Sequence, residues 1–188
     1  YTFPMQGILI ENTNIISCIV QNPYETFFGV LGSTVVAIMI FLAGKYWDEI
    51  TARRALDGDT FKRLNIVLGH AVVRELINDT FNMHFSTRLN VPIEEYLRLT
   101  EDPTNKYHDE NLNKLRASFD AALQELFSYV SSNFGFPFPG THLMNLQCVV
   151  PHGSVRYEEV SARVVELYEK VEARHQVYLE AAKKKLLI

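Results

Sequence analysis

The chain has 188 residues, with 18 Lys plus Arg against 22 Asp plus Glu and a formal net charge of -4. Apolar residues make up 47% and charged ones 21%, which excludes a disordered or collagen-like chain. Its 2 cysteines, Cys18 and Cys148, are too few for a disulfide scaffold or a Cys-rich zinc module. A mildly acidic chain without a long basic run also argues against nucleic acid as a partner, because that binding rests largely on phosphate neutralisation.

The charge is unevenly placed. Before Lys45 the only charged residues are Glu11 and Glu25, and every Lys and Arg lies between Lys45 and Lys185. Residues 1–26 read as a short outer segment, in which two apolar patches are separated by a turn at Glu11-Asn12-Thr13-Asn14. The first residue is Tyr1 rather than Met, which reads as a processed or partial product.

Residues 26–44 form 19 consecutive uncharged positions, TFFGVLGSTVVAIMIFLAG. As a helix at 1.5 Å per residue they span about 28 Å, close to the hydrocarbon thickness of a bilayer. Apolar side chains occur all round that helix, leaving no polar face for water. Ser33 and Thr34 can return their hydroxyls to carbonyls one turn earlier. Tyr24 before the stretch, and Tyr46 and Trp47 after it, are expected as interfacial anchors. The sequence therefore predicts one transmembrane helix over 27–56 that continues beyond the bilayer before breaking at Asp57-Gly58-Asp59.

Lys45, Arg53, Arg54, Lys62 and Arg63 follow the span, and no cation precedes it. The positive-inside rule places residues from Lys45 onward on the cytoplasmic or matrix side of a bacterial or mitochondrial inner membrane. The same five residues are candidates for topology determinants or lipid head-group contacts. Gly29, Ser33 and Ala37 recur every four residues and Gly32 widens the patch, so a neighbouring span could pack closely there.

Residues 59–188 are expected to form a soluble helical bundle. Asp59 or Thr60 should cap a second helix from Phe61 to about Arg88, with Leu64, Val67, Leu68, Val72, Leu76 and Phe81 as its buried stripe. Asn90-Val91-Pro92 should end it, and Pro92 should open a short helix through Leu99. Residues 101–105 read as a loop. From about Asp109 to Asn133 an amphipathic helix follows, with Leu112, Leu115, Phe119, Ala122, Leu126 and Val130 on one face. Residues 143–150 suggest one short extended run. Ser154 or Tyr157 should start a long last helix, in which Val160, Val164, Leu167, Val171 and Tyr178 form a coiled-coil-like seam. The fold class is thus mainly α, a single membrane helix followed by an inner-side bundle with a long C-terminal helix.

The six histidines show no metal-ligand spacing: Glu75 lies five positions after His70, and His84 lies fourteen after His70. His70 reads as an interior or interface histidine and His175 as part of a charged helix face. Cys148 lacks a base and an orienting group. No phosphate-binding glycine pattern and no nucleophile motif occurs. The expectation is a protein that is not an enzyme and has no catalytic residues, no cofactor and no metal. It would be an accessory subunit with a structural or assembly role in a multi-subunit membrane complex, of the respiratory or ATP-synthase type. Its partners would be the bilayer and other membrane subunits, met through the membrane helix and the C-terminal helix. The alternative is a bacterial inner-membrane sensor or effector that homo-oligomerises through its membrane helix.

Overall fold

A computed structural model describes residues 23–138 and 140–187, and of residues 23–27 and 148 the backbone only. The expected outer segment before residue 23, with its two patches, lies outside the described residues. The chain divides into two units, Tyr1–Thr51 and Ala52–Ile188.

The first described element is the 45-residue helix α1, Pro23–Val67. Pro23 stands in its first turn, where a missing N–H costs no intrahelical bond. The break expected at Asp57-Gly58-Asp59 does not occur. Asp57 is buried, and its carboxylate accepts the backbone N–H of His108 at 2.6 Å and of Asp109 at 3.1 Å. An aspartate disfavours a helix when its carboxylate competes for nearby backbone donors; here donors from a distant loop occupy it instead. The helix ends at Val67, and two residues on Gly69 is extended, with a ψ of 167°, at the N-terminus of the next helix. A Cβ at that position would lie 2.9 Å from the Asn65 carbonyl oxygen, so glycine suits the close approach.

The single helix expected over residues 61–88 is likewise corrected. Its first part belongs to α1, and α2 spans His70–Phe81. Met83 then takes a φ of 54°, a left-handed conformation that turns the chain out of the helix. Strand β1, His84–Ser86, follows. Leu64, Leu68 and Leu76 of the expected stripe are buried, Val67 and Val72 partly so, and Phe81 is 64% exposed. Helix α3, Asn90–Glu101, begins where a break was expected, and Pro92 falls in its first turn.

The second half follows its sequence pattern closely. Asp109 caps α4, Glu110–Asn133, by accepting the Leu112 N–H at 2.9 Å. Residues 143–150 are extended only in β2, Leu143–Asn145; Leu146–Cys148 is a 3-10 turn. Strand β2 pairs antiparallel with β1 in the register His84 with Asn145 and Ser86 with Leu143. Ser154 caps α5, Val155–Leu186, through the Tyr157 N–H. The two long helices α4 and α5 pack together, and the seam residues Val160, Val164, Leu167, Val171 and Tyr178 are all buried. The protein is mainly α, with five helices and one two-stranded ribbon among the described residues.

Candidate functional site

Two features stand out, one in each unit. In the first, the ten large apolar side chains from Phe28 to Leu42 are each at least 45% exposed. Among the described residues this one helix is long and apolar enough to cross a membrane, and none of its most apolar stretch is buried. The two hydroxyls in that stretch need no water, since Ser33 and Thr34 both donate to the Val30 carbonyl, at 2.9 and 2.8 Å. A Cβ added at Gly29 or Gly32 would meet nothing within 4 Å, so the face shared with Ser33 and Ala37 is open. Tyr46 and Trp47 are 67% and 70% exposed beyond the stretch. The Tyr24 side chain lies outside the described residues.

The five cations expected near the membrane do not share one face. Nine residues separate Arg53 and Arg54 from Lys62 and Arg63, about two and a half turns, so the pairs point to opposite sides of α1. Lys45, Arg53 and Arg54 are exposed. The Lys62 ammonium lies 3.7 Å from the Asp59 carboxylate, and Arg63 donates to the Thr60 hydroxyl at 3.2 Å.

In the second unit, α3, α4, α5 and the loop before α4 enclose a polar and aromatic cluster. The Tyr96 hydroxyl donates to Asp120 at 2.8 Å, and the Arg116 guanidinium lies 3.6 Å from the other Asp120 oxygen. Arg116 is buried; it also donates to the Asn105 carbonyl and sits 5.7 Å from the centre of the Tyr107 ring. The Tyr107 and Tyr178 hydroxyls are hydrogen-bonded to each other. Burial pushes the Asp120 carboxyl up to about 6, against the pull of Tyr96 and Arg116. Burial likewise raises the Tyr107 phenol to about 12, and raises Tyr96 and Tyr178 well above the ordinary phenol value.

His175 joins this cluster, which corrects the charged face expected for it. It is 5% exposed, with its ring 5.0 Å from that of Phe119 and stacked on His70 at 5.7 Å. His70 itself is exposed rather than interior. Desolvation, with His70 adding a smaller repulsion, lowers the His175 imidazole to about 4. The cavity bordering Tyr96, Phe119, His175 and Tyr178 has a volume of about 10 Å³, room for one water molecule and for no larger ligand. Among the described residues no three His, Cys, Asp or Glu side chains gather as a metal site would require.

Arg116 and Asp120 were not singled out from sequence and His175 was placed on the wrong face, yet signals existed. Arg116 and Asp120 have the i, i+4 spacing of a helical ion pair. The seam steps of 4, 3 and 4 from Val160 to Val171 continue by 4 to His175 and by 3 to Tyr178, so the rhythm itself places the imidazole inside.

These protonation states have opposite linkages. The folded pKa of His175 lies below the ordinary 6.5, so its contribution is present above that pH and is lost as pH falls toward 4. The folded pKa of Asp120 lies above its ordinary value of about 3.9, so its contribution is present in acid and is lost as pH rises through 6. Between pH 7 and 5 the two oppose each other. Relative to the parent chain, His175→Gln should gain about 2 kcal/mol on acidification across that window and Asp120→Asn should lose about 1 kcal/mol. Thermal midpoints of the full chain at each pH check this; parallel profiles for all three proteins would refute it.

The fold defines a class, a mainly helical protein with one candidate membrane-spanning helix among the described residues. Compared with protein-family models, curated proteins and solved structures, the chain finds no match.

Proposed function

We propose that the chain is a non-catalytic, single-pass subunit of a multi-subunit inner-membrane assembly, anchored by α1 and carrying a helical domain on the cytoplasmic or matrix side. The observation that carries this reading is the run of bare apolar side chains from Phe28 to Leu42. Soluble monomers rarely leave contiguous apolar patches larger than a few hundred Å² in water, whereas lipid accepts such a surface without cost. The open Gly29, Gly32, Ser33 and Ala37 face supports a neighbouring span as the packing partner. The cations after the stretch, with none before it, support the orientation. The closed polar cluster of the second unit is read as a structural core, because its cavity admits no substrate.

The chain should stay with membranes through an alkaline carbonate wash and, in mild detergent, purify in fixed ratio with other chains. Release by the wash overturns the anchor. Recovery as a homo-oligomer alone would instead favour the sensor or effector reading. Bulky Gly29→Leu and Ser33→Leu should each abolish the assembled species in native gels; an unchanged pattern removes the packing face.

A further inference from the structure

We propose that the second unit carries a binding groove for a phosphate-bearing anion, built where the last turns of α1 meet the loop before α4. The groove has a volume of about 530 Å³, within the range of small-ligand sites. Lys62 and Arg63 reach it from α1, and Lys106 and His108 from the loop, across more than forty residues of sequence. Asp59 is the one carboxylate on its wall, and it is 3.7 Å from Lys62. Asp102 lies within electrostatic reach of Arg63, but its carboxylate caps the Thr104 N–H at 2.8 Å. On the wall itself three cations, Lys62, Arg63 and Lys106, stand against the single carboxylate of Asp59, while Asp102 and the buried Asp57 carboxylate lie outside it. Among the described residues Lys106 makes no ion pair, and its side chain is exposed. Gathering like charges is unfavourable unless an anion offsets them, and an arginine beside two lysines offers the donors that a phosphate's acceptor oxygens require.

The walls are fixed before any ligand arrives. Asp57 ties the backbone of His108 and Asp109 to α1, and Asn113 holds Tyr107 through both its N–H and its carbonyl. Asn105 is buried and donates to the Leu99 carbonyl at 3.0 Å. Little ordering is therefore left to oppose binding. Leu56 and Ile66, 55% and 82% exposed, add an apolar margin to the same groove. A phosphate attached to an apolar group fits both surfaces, so an anionic phospholipid should bind more tightly than inorganic phosphate.

The test uses the full chain in an uncharged detergent at fixed ionic strength, titrated calorimetrically with inorganic phosphate, short-chain phosphatidylglycerol and short-chain phosphatidylcholine. Saturable binding of phosphatidylglycerol is expected, weakened about fivefold by Lys106→Gln or Arg63→Gln and unchanged by Arg156→Gln, which removes a cation elsewhere. Tighter binding of inorganic phosphate, with the same variant pattern, supports the site and assigns it to a free phosphate. No saturable binding of either anion, equal binding of phosphatidylcholine, or an equal loss in Arg156→Gln overturns the proposal. Because all the substituted residues are exposed, circular dichroism should show each variant folded like the parent. The groove uses no residue of the apolar stretch, so its failure leaves the membrane reading untouched.

Discussion

Phe119→Ala should destabilise the helical domain by about 3–5 kcal/mol, the usual cost of removing a fully buried aromatic ring. The Phe119 ring is 1% exposed and lies 5.9 Å from the Tyr96 ring, 5.0 Å from His175 and 6.2 Å from Tyr178. Its removal would enlarge a cavity with room for no more than one water, beside Tyr96 and Tyr178, whose hydroxyls are already committed to Asp120 and Tyr107. Those partners cannot collapse inward without giving up hydrogen bonds, so relaxation should recover little of the loss. Phe136, 53% exposed, provides the contrast: Phe136→Ala should change stability by no more than about 0.5 kcal/mol. Denaturant unfolding of the full chain, followed by helical circular dichroism, measures both. A Phe119→Ala loss below about 1 kcal/mol would show that the cluster is not the packed centre described above.

Val35→Lys should shift the chain out of the membrane. Val35 stands midway along the uncharged stretch of residues 26–44 and is 53% exposed on α1. A lysine at a helix centre in lipid costs about 3 kcal/mol relative to an apolar residue, roughly a hundredfold in partition. The uncharged stretch around it offers the ammonium no counter-charge. Val35→Leu, which keeps the apolar surface, should partition like the parent. The measurement is the fraction of chain resisting carbonate extraction. If Val35→Lys resists as well as the parent does, lipid is not the solvent for this helix. The helical domain should unfold at the same denaturant concentration in Val35→Lys as in the parent, whereas Phe119→Ala should show the reverse pattern. The pair of variants thus separates the two energetic supports of the molecule.

Much of the second half was legible because its signals are local or strictly periodic. Asp109 and Ser154 are capping residues immediately before apolar-periodic runs, and both cap as expected. The α4 face and the α5 seam each repeat at helical spacing over about five turns, enough to fix which side is buried. The first half misled where a local signal had a distant answer. Asp-Gly-Asp at positions 57–59 is a strong breaker by composition, yet helix α1 runs through it. The two backbone donors that occupy the Asp57 carboxylate come from residues about fifty positions away, which no window of sequence shows. Similarly, the apolar rhythm from Leu64 to Phe81 looked unbroken, while at Gly69 the chain turns so close to the Asn65 carbonyl that a side chain would not fit. Phe81 fell on the stripe by spacing, but the chain leaves the helix two residues later at Met83 and the ring stays exposed.

What the sequence determined alone is the part governed by solvent and period. Nineteen uncharged residues make a helix apolar on every side and long enough to cross a membrane, and a 4-3 rhythm of apolar residues commits two helices to each other, whatever the rest of the chain does. Only the tertiary structure decided how the polar groups are matched. It carried α1 past an aspartate and a glycine, drew Arg116, Asp120 and His175 into one cluster, and set Lys106 beside Arg63 across a groove. The physical reason is that apolar burial depends on area and needs no particular partner, whereas a buried carboxylate, guanidinium or imidazole is tolerated only beside specific donors, acceptors and charges. Those neighbours come from anywhere along the chain, and folding alone brings them together.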